Sequence, residues 1–163
     1  MALVVQKYGG TSVSTPDNRQ KVLEKIIKEK KAGNDVVVVV SAMGRRGDVY
    51  ATDTLLDKLY EISPNPSART KDLMASCGEI ISACIVAHTL ETSGYSAIPL
   101  TGFQAGIKTN DVFTNGIVLS VEADRIKQVI ESGAVAVVAG FQGWNEEKDI
   151  VTLGRGGSDT TAI

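Results

Sequence analysis

Residues 35–41 read DVVVVVS, an unbroken run of valines between an aspartate and a serine. The run lacks the alternation of a half-exposed strand and marks a strand covered on both faces. Working back from it, Gly33-Asn34 ends a helix in which Val22, Leu23, Ile26 and Ile27 recur at helical spacing with lysines opposite. That helix starts at Thr15-Pro16-Asp17: a hydroxyl at the cap, proline in the first turn, and an acid near the positive end of the dipole. Ala2 to Gln6 reads as a short buried strand, and Lys7 to Ser12 as the loop after it. Strand, helix and strand in this order predict a parallel βαβ unit with a right-handed crossover.

The remainder repeats the theme. Ala42 to Ala51 is a loop, Thr52 to Ile62 a helix broken by Ser63-Pro64-Asn65-Pro66, and Ala68 to Ser93 a longer helix ended by Gly94. Tyr95 to Leu100 reads as a strand, with short strands near Gly106 to Thr109 and Ile117 to Ser120. Val121 to Ser132 reads as a helix and Ala134 to Ala139 as a strand. No low-complexity linker divides the 163 residues, which are enough for one domain with a real core. The expected architecture is α/β: a three-layer αβα sandwich around a mainly parallel sheet. The sequences TGFQ at 101–104 and AGFQ at 139–142 each follow a predicted strand, where α/β proteins place ligands.

A net charge of -2 gives no basic field toward nucleic acid or anionic membrane. The valine run is too short to span a bilayer, and MALVVQKYGG has no basic leader or cleavage site, so no signal peptide is expected. Cys77 and Cys84 fall on one helix face two turns apart, too far to bond each other, and are expected as small buried side chains. Reduced thiols suit the cytoplasm. His88 is the only histidine and there is no CxxC, so the chain is expected to supply no metal site.

Four loops could carry chemistry. In KYGGTS, residues 7–12, Gly9 and Gly10 would let backbone N–H groups approach an anion and Lys7 adds a mobile charge; the alternative is a plain tight turn. The lysine precedes the glycines, so this is not a Walker A loop. Ser41 ends the valine strand, where its hydroxyl either meets a ligand or caps the loop; Arg45 and Arg46 read as solvated loop charges. Glu79 lies among apolar residues of a helix and must either turn to water or meet a cation such as a substrate ammonium. In LGRGGSDTTA, residues 153–162, Arg155 offers a fork for a carboxylate, Gly156-Gly157 allow close approach, Ser158 can cap and Asp159 enters the first helical turn. The alternative there is an ordinary N-cap. Together these groups fit a small amino acid meeting a phosphoryl donor, a chemistry that asks for positioning and charge neutralisation rather than a catalytic His or Cys.

KYGGTS, Ser41-Ala42-Met43-Gly44, Gly78-Glu79, Gly140-Phe141-Gln142-Gly143 and LGRGGSDTTA, in this order, resemble the motifs of the aspartate kinase family of amino-acid kinases. The resemblance implies the amino-acid kinase fold and phosphorylation of the side-chain carboxylate of L-aspartate by ATP with Mg²⁺, on the route to lysine, threonine and methionine. It implies that Lys7 stabilises the transferred phosphoryl group, with Gly9, Gly10 and Ser158 at the nucleotide phosphates. Glu79 would take the aspartate ammonium and Arg155 its α-carboxylate, and Ser41, Thr52 and Ser158 would line the pocket. Asp159 would orient Lys7 rather than act as a base. The segment RRGDVYA before Thr52 is longer than the family pattern and loosens the register there. The resemblance further implies that residues 1–163 are the N-terminal amino-acid-binding lobe. A nucleotide lobe and regulatory ACT domains, through which a homo- or hetero-oligomer forms, would lie outside them. With those walls missing, open apolar sheet edges and little or no activity of the 163 residues alone are expected. A sibling acetylglutamate or glutamate 5-kinase and a non-catalytic binding or dimerisation module are the alternatives.

Overall fold

The computed structural model describes residues 1–154 and 156–163. The valine run becomes β2 (Asp35–Val40), the second strand of a four-stranded sheet in the order β1 (Leu3–Tyr8), β2, β6 (Val135–Ala139), β3 (Ala97–Leu100). All three pairings are parallel. Its alternate valines part to opposite faces. Val36, Val38 and Val40 join a core with Val22, Leu23, Ile26, Val86 and Leu90 from α2 (Pro16–Lys31) and α4 (Ala68–Thr92). Val37 and Val39 join a second core with Val129 of α5 (Asp124–Glu131), Ala136 and Val138. This two-sided burial explains why no polar residue interrupts the run, and each buried valine contributes about 1.5 kcal/mol or more. The layers are helix, parallel sheet, helix, as expected.

The α2 cap also forms as read: Thr15 Oγ1 accepts from Asn18 N at 3.2 Å, with Pro16 at the first helical position. β1 runs two residues further than expected, through Lys7 and Tyr8, and a single turn, α1 (Gly10–Val13), replaces part of the anticipated loop. The expected strand near Ile117 to Ser120 forms as β5 (Val118–Val121), and the expected helix over Val121 to Ser132 forms as α5, starting three residues later. β5 belongs to a second, mixed sheet in the order β5, β4 (Ile107–Thr109), β7 (Gln142–Trp144), β8 (Ile150–Thr152). Ile117, Leu119 and Val121 are exposed along the β5 edge, as are Leu3 and Val5 along β1.

Helix α4 joins the two sheets. By length and composition it could cross a membrane, a property that the short valine run did not reveal, but half of its most apolar stretch is buried inside the fold. Its buried face carries Ala75, Ser76, Gly78, Glu79, Ala83, Val86 and Leu90. Cys77 is only partly buried and Cys84 is exposed, contrary to expectation: they share a face, but it is the one turned away from the sheet.

Candidate active site

The C-terminal ends of parallel strands β1 and β2 bring KYGGTS beside the Ser41-Ala42-Met43-Gly44 turn. Gly10 makes the approach possible, since its carbonyl accepts from Gly44 N at 3.0 Å. A Cβ at Gly10 would collide with the Ala42 carbonyl oxygen and lie 3.0 Å from that of Gly44. Backbone on both sides cannot give way, so Gly10→Ala is expected to cost about 2 kcal/mol by forced displacement of the turn, read as a lowered urea midpoint at unchanged slope. Gly78 does the same from the helix: a Cβ there would lie 2.7 Å from Ala42 Cβ. Its absence lets α4 rest against the turn.

That contact delivers Glu79. Its side chain is 3% exposed, and Oε1 accepts from Ala42 N at 3.3 Å. Oε2 is buried with no hydrogen-bond partner among the described residues. Among the described residues the carboxyl thus neither turns to water nor finds a cation. Burial, opposed by the backbone hydrogen bonds it accepts, pushes its pKa up to about 8. In the empty site it is mostly a neutral acid at pH 7.

Glu79 lines a cavity of about 260 Å³ with Gly10, Ser41, Thr52 and Arg46. Thr52 begins α3 (Thr52–Tyr60). Arg46 is not simply solvated. It grips both Asp57 carboxylate oxygens at 2.9 Å and lies 3.6 Å from Asp53, so the long 45–51 loop is tied to α3 at the cavity rim.

Ser41 links this cavity to the last helix. Its hydroxyl donates to Ser158 Oγ at 3.0 Å. Ser158 is not the cap of α6 (Gly157–Ala162), as expected from its position: Gly156, at φ 76°, starts the helix and leaves Ser158 inside the first turn, facing Ser41. A Cβ at Gly140 would lie 2.9 Å from Ser158 Oγ, so the glycine after β6 makes room for that hydroxyl. The next residue, Asp159, pairs with Lys7, Oδ1 to Nζ at 2.9 Å. The Lys7 ammonium lies 3.9 Å from where a Gly9 side chain would begin, so it sits over the glycine turn. The chain of contacts Lys7–Asp159–Ser158–Ser41–Ala42–Glu79 is continuous, with Gly10 and Thr52 on its cavity side. Arg155 lies outside the described residues.

Two buried polar residues have roles that the sequence reading did not give: Asp72 was not singled out, and Gln142 was quoted only within the motifs at 139–143. Gln142, fully buried, donates to the Ser76 carbonyl at 2.9 Å and accepts from Gly102 N at 3.3 Å, which joins the two GFQ segments through one side chain. Asp72 ties α4 to β8 and to residue 114. The only sequence signals were a glutamine directly after a buried strand and turn, and an acid two helical turns before Glu79.

The strand ends of the parallel sheet gather a lysine over glycines, a buried acid and a glycine-rich helix start, an arrangement that offers an anion a positive charge and backbone N–H groups beside a carboxyl open to a cation. Residues 2–163 match the amino acid kinase family, and the chain belongs to that family. Within it, the chain is similar to the aspartokinases of Bacillus sp. (strain MGA3), 48% identical over 163 residues, and of Geobacillus stearothermophilus, 46% identical over 163 residues. Both alignments take in 100% of this chain, but it spans only 38% and 39% of the length of those relatives. Among solved structures, the aspartate kinase from Synechocystis superposes with a TM-score of 0.78 at 42% identity, covering 98% of this chain and 25% of that one. Escherichia coli aspartokinase III, crystallised with aspartate and ADP, shares the fold with a TM-score of 0.75 at 22% identity, covering 98% of this chain and 45% of that one.

Proposed function

We propose that the chain is the amino-acid-binding lobe of an aspartate kinase. The observation that carries this reading is Glu79: a buried carboxyl with one oxygen unpartnered among the described residues, facing a cavity sized for a small molecule. A ligand ammonium would supply the missing cation and draw the acid into its ionised form. The α-carboxylate would be taken by the loop after β8 through Arg155, and the side-chain carboxylate would point toward Lys7 and Gly9-Gly10. An oxygen of that carboxylate then attacks the γ-phosphorus of ATP, the bond to the β,γ-bridging oxygen breaks, and ADP leaves. The products are 4-phospho-L-aspartate and ADP.

Lys7 opposes the charge that spreads over the phosphoryl oxygens during transfer. Asp159 holds Lys7 in place. It is not a base, because a carboxylate nucleophile has no proton to lose at neutral pH. Ser41, Thr52 and Ser158 border the substrate. Mg²⁺ entering with the nucleotide would supply positive charge against that of the phosphates; among the described residues no group of three His, Cys, Asp or Glu gathers to hold a metal. On this reading the nucleotide lobe and ACT regulatory domains lie in further sequence, the assembled enzyme is an oligomer of the cytoplasm, and residues 1–163 alone turn over little or no ATP.

The test supplies the full-length enzyme with Mg-ATP and, in turn, L-aspartate, N-acetylglutamate and glutamate, and traps the acyl phosphate with hydroxylamine. Aspartyl hydroxamate is the expected product. N-acetylglutamate has no ammonium for Glu79, and its turnover in place of aspartate would overturn the reading.

A further inference from the structure

We infer that Asp72 is a positioning residue that fixes the distance between the two ends of the amino-acid site. The inference rests on the reading above, which places the ammonium at Glu79 and the carboxylate at the segment after β8.

Asp72 and Glu79 stand on the same α4 face, seven residues and about two turns apart. Asp72 is 1% exposed. Its Oδ2 accepts from Thr114 N and from Thr152 N, each at 2.8 Å, and its Oδ1 accepts from Thr152 Oγ1 at 2.9 Å. Thr152 is the last residue of β8, directly before the glycine-rich segment. Thr114, at φ 65°, lies within the loop between β4 and β5, which runs beside the same segment. There Gly116 N donates to the Thr152 carbonyl at 2.9 Å, Gly116 bridges to Leu153, and a Cβ at Gly154 would lie 2.5 Å from Asn115 Oδ1. Asp72 therefore pins both the segment's start and the loop that flanks it. The far end is pinned by Ser158 on Ser41 and Asp159 on Lys7.

Apolar packing could hold α4 against β8, but it would tolerate sliding. Burying a carboxylate is costly unless its oxygens are filled, and filling them fixes direction as well as distance. Because the carboxylate shares its helix with Glu79, any drift of β8 away from Asp72 widens the gap that the substrate must span. Such drift weakens binding of the amino acid and leaves the nucleotide side untouched.

The experiment measures kcat and both KM values of the full-length enzyme carrying Asp72→Ala, Asp72→Asn or Thr152→Val. Asp72→Ala strips three donors, two of them buried, of their acceptor and is expected to raise KM for aspartate about tenfold or more, with KM for ATP within about twofold. Asp72→Asn should restore KM to within about threefold, since one amide oxygen can accept from both N–H groups while the amide N–H donates to the Thr152 hydroxyl. Thr152→Val keeps the backbone contact, removes only the hydroxyl, and should raise KM for aspartate about threefold even if Asp72→Ala does not fold. A purely structural role would lower the active fraction, and hence kcat, with both KM values unchanged. That pattern, equal rises in both KM values, or an Asn variant as impaired as Ala would overturn the inference. If the unmodified enzyme phosphorylates a different amino acid, the proposed substrate is wrong, but the same split in KM is read with that acid and still decides the role of Asp72. No turnover of any amino acid overturns both.

Discussion

Lys7→Ala in the full-length enzyme is expected to lower kcat about 10²-fold or more, since removing one well-placed charge donor at a transition state commonly costs that much. Stability should barely change. The Lys7–Asp159 pair is partly exposed at Lys7 and largely exposed at Asp159, and ion pairs of this kind contribute about 1 kcal/mol or less. KM for aspartate should also move little, because the proposed ammonium anchor is Glu79 and not Lys7. Lys7→Arg should fail to rescue: the guanidinium is broader than an ammonium, and the space over Gly9 admits a point charge. Asp159→Asn should cost less than Lys7→Ala, as it loosens the lysine without removing it. Steady-state ADP release, beside a urea midpoint for each variant, separates the effects. A kcat within about threefold of the unmodified enzyme would remove Lys7 from the chemistry and leave the pair a surface contact.

The parts of this arrangement legible in the sequence are those set by neighbours along the chain. DVVVVV could be read as a two-face strand because burial on both faces requires apolar residues at odd and even positions alike. Thr15-Pro16-Asp17 could be read as a helix start because its partner, Asn18 N, is three residues away. Lys7, Gly9 and Gly10 were legible as a glycine turn carrying a lysine, and Asp159 as an acid in a first helical turn, for the same reason. The second sheet was only half legible. β4 and β5 were read as short strands, but β7 and β8 are three residues each, too short to show a period, and become strands by pairing with each other and, through Trp144, with β4. Asp72 was missed, and Gln142 was quoted within a motif without its buried bridging role, because nothing local marks an acid or amide whose partners lie 80 and 66 residues away. Glu79 was flagged by type, but its state was not legible. Whether it meets water, a cation or neither depends on Gly78 letting α4 reach the Ala42 turn. The cysteines went wrong by rotation: their shared face was correct, but which face of α4 meets the sheet is decided by Ala75, Glu79, Ala83, Val86 and Leu90.

Glu79 also gives the second large effect, through pH. With a pKa pushed up to about 8 in the empty site, about nine in ten molecules carry a neutral Glu79 at pH 7. An ammonium ligand needs the carboxylate, so binding must expel that proton. Calorimetric titration of aspartate at pH 7 in phosphate and in Tris, buffers of different ionisation enthalpy, should show release of about one proton per ligand. Affinity should rise about tenfold per pH unit from pH 6 and flatten near pH 8. Glu79→Gln should bind on the order of 10²-fold more weakly at pH 8 and lose the pH slope, since an amide cannot pair with the ammonium. The ligand-free protein carries the converse signature. The group's folded pKa lies above its unfolded value of 4.5, so below pH 4.5 both states hold the proton and Glu79 costs nothing extra. Between pH 4.5 and about 8 the unfolded chain sheds the proton while the folded chain keeps it, and folding loses ground with each unit. Glu79→Gln should therefore match the parent near pH 4.5 and exceed its stability by on the order of 3 kcal/mol at pH 8, with saturating aspartate closing that difference. A flat pH profile of affinity together with an unchanged stability difference would mean that Glu79 does not face the ligand, and the amino-acid end of the site would have to be sought elsewhere.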